Sequence, residues 1–140
     1  MSTRTYPTHE IAGVAEFRAA LRQFLRRSER VARSSGLTPQ RYLLLLMIKG
    51  AADGSERSTV TELAKRLQLA QSTVTELVRR AEEAGLVGRE QSATDGRVAH
   101  LHLTVEGERR LMSAFTELDT ERRQLREAFA HMDDSGPALP

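Results

Sequence analysis

The chain contains no cysteine. Disulfides, thiolate metal sites and cysteine redox sensing are thereby excluded. It also lacks long apolar runs. The most apolar stretch, Leu43 to Ile48, falls far short of the ~18 residues of a membrane span and suits a buried helix segment. No basic-then-apolar segment opens the sequence, so a cytoplasmic protein with no membrane partner is expected. Neither sign of charge is in excess: 21 basic residues face 19 acidic ones, for a net +2 over 140 residues. There is no internal repeat and no low-complexity tract. No phosphate-binding glycine loop and no set of nucleophile, base and orienting group is legible, which argues against an enzyme, and no cofactor is implied.

What is present is helical periodicity. Hydrophobic residues make up 39%, enough for a modest core in one domain. From Glu10 to Arg33, Val14, Phe17, Leu21, Phe24 and Val31 share one helical face. Ser34-Ser35-Gly36 stops that helix. Thr38 caps a second, with Pro39 at its first position, which is apolar almost all round to Lys49. Thr59 and Glu62 form a capping-box signature for a third, whose buried stripe is Val60, Leu63, Ala64 and Leu67. Gln68-Leu69-Ala70 turns the chain into a fourth helix, about Gln71 to Ala84, closed by Gly85. Leu86 to Gln91 and Val98 to Leu103 read as paired strands around a tip, Ser92 to Arg97. From Thr104, Leu111, Phe115, Leu118, Arg122, Leu125, Phe129 and Met132 step by four and three, predicting one unbroken helix with a heptad seam. Residues 133–140 are expected to be disordered.

Two helices joined by a tight turn and followed by a hairpin form the pattern of a winged helix-turn-helix, which sets one helix in a DNA groove and a loop beside it. The fourth helix buries Val74, Leu77, Val78 and Ala81 and turns Ser72, Glu76, Arg79 and Glu83 outward, with Thr75 on the shoulder. Ser72, Thr73 and Thr75 near a helix N-terminus suit phosphate and base-edge hydrogen bonds. Arg79 can fork onto guanine, and Glu76 can accept from the cytosine amino group. Asp95-Gly96-Arg97 marks the hairpin turn and offers an arginine to a narrow minor groove. Arg89 on the first strand completes the expected DNA-contacting set. A solvated helix face and an ordinary polar turn fit the same residues taken singly. From Asp53 to Thr104 seven basic residues face eight acidic ones, so DNA affinity has to come from where the arginines point and from doubling the site.

The sequence resembles the MarR family of bacterial transcription regulators over roughly residues 10 to 130. The resemblance rests on Leu37-Thr38-Pro39-Gln40, Glu62-Leu63-Ala64, Ser72-Thr73-Val74-Thr75, Gly85-Leu86-Val87, Asp95-Gly96-Arg97, and Leu103-Thr104 with Gly107, in that order. It implies a homodimer whose first and last helices interlock. It also implies a repressor on an inverted-repeat double-stranded DNA operator, released by a small, often aromatic acidic, molecule. Three departures stand out: Ala81 in place of a larger aliphatic, Glu76 in place of a basic or polar residue, and few residues after the fifth helical pattern. Ligands of the family settle between the dimer helices and the winged unit. Mapped here, Phe17, Tyr42 and Met47 are candidate walls, and Arg18 or Arg22 a candidate partner for a carboxylate; the three apolar residues serve equally well as core.

Two further patterns are weaker. Arg18, Arg22, Arg26 and Arg30 form a basic stripe that suits a solvated face. His100 and His102 share one side of a strand, but no third ligand accompanies them and no metal is expected. The expected fold is thus mainly α with a small β-hairpin wing. Residues 10–35 and 104–132 form the dimerisation helices, and 37–103 the DNA-binding unit. The rival reading is a winged-helix protein-interaction module without DNA binding. A third, an enzyme or small-molecule carrier, rests only on the clefts such folds form.

Overall fold

The computed structural model describes residues 3–134. Its elements run α1 (Thr8–Ser34), α2 (Pro39–Lys49), α3 (Val60–Leu67), α4 (Gln71–Glu83), β1 (Val87–Gln91), β2 (Ala99–Leu103), α5 (Val105–Glu117) and α6 (Asp119–Asp134). The described residues up to Val31 and from Thr116 onward form one compact unit, and Ala32–Phe115 form the other. Of the expected disordered tail, Asp133 and Asp134 belong to α6, and 135–140 lie outside the described residues.

In the Ala32–Phe115 unit, α2, α3 and α4 pack on one another, and β2 packs on α2. Leu44, Leu45, Ile48, Leu63, Val74, Val78, Leu86, Leu101 and Leu111 are fully enclosed. Burying each such side chain stabilises the fold by about 1.5–3 kcal/mol. The helix starts follow the sequence. The Thr38 hydroxyl accepts from Arg41 N at 3.1 Å, and the Thr59 hydroxyl from Glu62 N at 3.2 Å. Gln68, left-handed at φ 58°, closes α3 and opens the turn. Arg66 on α3 donates to the Met47 and Gly50 carbonyls, meeting groups the end of α2 leaves open.

The hairpin pairs Val87 with Leu103, Arg89 with Leu101 and Gln91 with Ala99. Ser58 adds an isolated one-residue bridge to the far side of Leu101, at the wing root. At the other end of β2 the chain is sewn to the turn that follows α4. Thr104 donates its hydroxyl to the Gly85 carbonyl at 2.6 Å, and the same oxygen accepts from Gly107 N.

In the other unit, α1 turns Phe17, Leu21 and Phe24 into half-buried positions, and Phe17 meets Phe129 of α6 edge-on at 5.7 Å. Val14 stays half exposed. Arg27 pairs with Glu121 at 3.3 Å. Exposed apolar side chains remain at Ile11, Val14, Leu25 and Phe129.

The expectation of one unbroken last helix is wrong. The chain turns at Leu118, which is fully buried, and α6 begins at Asp119. The four-and-three spacing survives the break, because the buried Leu118 keeps the apolar period while its backbone leaves the helix. Asp119 then sits in the first turn of α6, where an anion is favoured, and meets Arg122 and Arg123 at 3.4 and 3.3 Å. Asp119 is thus an acidic partner of the seam arginine within the chain. Leu111 and Leu118 are buried within the chain, so the seam is not a single stripe left for a partner. A sixth helix is present, so the expected shortfall after the fifth does not exist.

Candidate nucleic-acid interface

The N-terminus of α4 differs from those of α2 and α3. Its cap position is Ala70, and no side chain caps it. The first-turn N–H groups are thus open to an acceptor, at the helix end that carries partial positive charge. Ser72, Thr73 and Thr75 are exposed beside them, and their hydroxyls meet no side-chain partner among the described residues. Ser72, Thr73, Glu76 and Arg80 line one shallow groove with Gln40 and Leu77. Gln71 steadies the turn by donating to the Thr61 hydroxyl at 3.3 Å.

The charged residues of α4 are tied to one another. Arg79 donates to Glu76 through Nε at 2.9 Å and Nη2 at 2.6 Å, and its Nη1 meets Glu83. Arg80 Nε adds a bond to Glu76 at 3.1 Å. Hydrogen bonds from Arg79 and then Arg80 pull the Glu76 carboxyl down to a pKa of about 2, and Glu76 pushes the Arg79 guanidinium up. Arg89 on β1 reaches back to Glu82 at 2.8 Å, joining wing to α4; that bond raises its pKa.

At the wing tip, Asp95 Oδ1 accepts from both the backbone N and the Nε of Arg97, at 3.1 and 3.3 Å. The Arg97 side chain is 92% exposed. Ser92 Oγ accepts from the Thr94 and Asp95 N–H groups and holds the turn closed. Arg57, next to the bridging Ser58, pairs with Glu90 at 2.5 Å.

The structure thus collects Ser72, Thr73, Thr75, Glu76 and Arg79 on the outer side of α4, ties Arg89 to that helix, and joins Asp95 to Arg97 at the tip. Sequence reasoning missed Arg80, Gln40 and Arg57. The i, i+4 spacing of Glu76 and Arg80 was a usable signal; Arg57 and Gln40 gave none, since their neighbours are distant in sequence. Alanine at the α4 cap, against threonine at the other two, was the signal for an open helix end. Of the proposed ligand-contacting residues, Tyr42 is a core side chain at 5% exposure, Met47 is half-buried, Arg18 and Arg22 are exposed, and Phe17 packs on Phe129. A cavity of about 140 Å³ between α1 and α6, lined by Phe24, Arg27, Arg30, Glu121 and Leu125, includes none of these five.

A sequence profile of the MarR family matches residues 35–98, the span from the end of α1 to the wing tip. The winged unit shares its fold with solved MarR-family regulators. Solved structures with the same fold include a mutant form of MarR from E. coli complexed with operator DNA. It is 20% identical, with a TM-score of 0.64 over 77% of this chain and 75% of that one. AbsC, a MarR family transcriptional regulator from Streptomyces coelicolor, is 22% identical, with a TM-score of 0.66 over 88% and 82%. The M. tuberculosis transcriptional regulator MosR, in complex with DNA, is 29% identical, with a TM-score of 0.58 over 77% and 75%. No curated protein sequence matches. No described helix is long and apolar enough to cross a membrane.

Proposed function

We propose that this chain is a sequence-specific, double-stranded-DNA-binding transcription regulator that acts as a homodimer on an inverted repeat. The observation that carries the reading is the uncapped start of α4, with Ser72, Thr73 and Thr75 exposed around it, in a MarR-family winged unit. Open N–H groups and short hydroxyls are what a phosphate or base edge requires. Arg97 at the wing tip and Arg89 on β1 are the proposed wing contacts. The exposed Ile11, Val14, Leu25 and Phe129 support a second copy pairing through the unit built on α1 and α6. Repression, and its release by a small aromatic acid near Phe17, Arg18, Arg22, Tyr42 and Met47, complete the proposal and rest on the family.

A second reading has its own observation. Arg57, Arg79, Arg80, Arg89 and Arg97 are each paired with a carboxylate, which suits a protein-interaction module as well as a weakly charged DNA binder. Binding to random duplex across a salt series separates the two. A DNA binder shows log affinity falling linearly with log salt; an interaction module shows no measurable affinity at any salt. Site selection from random duplex then supplies the operator. A melting-temperature rise and weaker DNA binding with benzoate-like acids tests the release step.

A further inference from the structure

Glu76 is held at three points. Oε2 accepts from Arg79 Nε, while Oε1 accepts from Arg79 Nη2 and from Arg80 Nε. A carboxylate offers about four lone-pair positions, so one is left over, and Glu76 lines a groove with Ser72 and Thr73. The two guanidiniums come from positions three and four residues later, one turn toward the C-terminus of α4, and the groove-lining hydroxyls lie one turn toward its start. The clamp also removes the usual objection to an acid beside DNA, because its charge is offset where it stands. Arg79 meanwhile has Nε, Nη1 and Nη2 all engaged, with Glu83 taking Nη1. Its Nε–Nη2 fork is thereby committed to Glu76, and of its five N–H groups one on each Nη remains.

We propose that Glu76 is the base-reading residue of α4: a fixed acceptor that selects a base with an exocyclic amino group, cytosine N4 or adenine N6, in the major groove. Arg79 and Arg80 are positioning residues for it. This rests on the DNA-binding reading above. A carboxylate whose rotamer is already fixed by a bidentate partner loses little freedom on meeting a base, and as a pure acceptor it rejects a base that presents only acceptors there.

The test starts from an operator selected from random duplex by the unaltered protein. Each base pair of one half-site is then replaced in turn. At one position, removing the amino-bearing base costs about tenfold or more in affinity, and an analogue lacking only the amino group costs the same. Analogues of cytosine and of adenine tell which base is read. Glu76→Ala reduces the preference at that position to within about twofold and leaves the others intact. Arg79→Ala weakens the preference at the same position, Arg79→Lys restores part of it, and the double variant is no worse than Glu76→Ala. Uniformly tighter binding by Glu76→Ala, with an unchanged motif, would make Glu76 a repulsive charge only and overturn the proposal. Loss of preference at a separate guanine in Arg79→Ala would return the reading role to Arg79. If the unaltered protein selects no motif, the DNA-binding reading itself falls, and this inference with it.

Discussion

The carbonyl oxygen of Leu86 lies 2.1 Å from where a β-carbon on Gly107 would stand. The obstacle is backbone, fixed in turn by the Thr104 N–H it accepts at 3.0 Å and by the burial of Leu86. Glycine at 107 is therefore required by close approach, at the point where α5 leaves the wing. Gly107→Ala should destabilise the protein by about 1–3 kcal/mol, because a fixed backbone has to shift to admit the methyl group. Urea unfolding measures this, and a midpoint unchanged from the parent would show that α5 moves freely away from Leu86.

Arg97→Ala should weaken operator binding without changing the melting temperature. The side chain is almost wholly exposed, and its only protein partner among the described residues is Asp95, two positions back. If Arg97 meets a phosphate, the log–log salt slope shrinks by about one unit per half-site. Unchanged affinity at every salt concentration removes the wing tip from the mechanism.

Glu76 and Glu106 are both pulled from an ordinary value of 4.5 to about 2, chiefly by hydrogen bonds from Arg79 and Arg109 respectively. The unfolded chain therefore takes up these protons first. The stability they contribute is present above 4.5 and is lost as the pH falls toward 2. Both are exposed ion pairs, so the effect is small. Glu76→Gln and Glu106→Gln should flatten the fall in urea midpoint between pH 4.5 and 2 and leave its shape between pH 5 and 8 unchanged. An equal fall in parent and double variant would show that the pairs do not persist in solution.

The dimer is best probed at Phe129 and Leu25, which are 54% and 51% exposed. Phe129→Glu or Leu25→Glu should yield a folded monomer by sedimentation, with operator binding lost. Leu118→Glu, by contrast, buries a charge and should lower helicity outright, since Leu118 has no exposed surface. Monomer in the unaltered protein at micromolar concentration, still binding a palindrome tightly, would contradict the proposed assembly.

Much of this architecture was legible in the sequence because its signals are local. Thr38 and Thr59 mark their own helices, Gly85 ends α4 at φ 73°, and Asp95-Gly96-Arg97 names the tip. The break at Leu118 was hidden because periodicity records which side chains are buried and not whether the backbone between them stays helical. The charge pattern around α4 was half legible. Its spacings were visible, but which partner Arg79 would take depended on geometry that a list of outward-facing residues does not contain. The cross-chain pairs, Arg57 with Glu90 and Arg110 with the Gly36 carbonyl, join residues that nothing local connects.

The single bridge between Ser58 and Leu101 also bears on how the winged unit comes together in time. It closes a loop that contains all of α3, α4 and β1, whereas the helices themselves form from neighbours in sequence. Closing so long a loop costs entropy that is recovered only once both ends are in place. The wing root should therefore dock late, after the helices have met. Leu101→Ala is expected to steepen unfolding and leave the refolding rate nearly unchanged in a chevron measurement. A refolding rate that dropped with it would place the wing root in the folding nucleus instead.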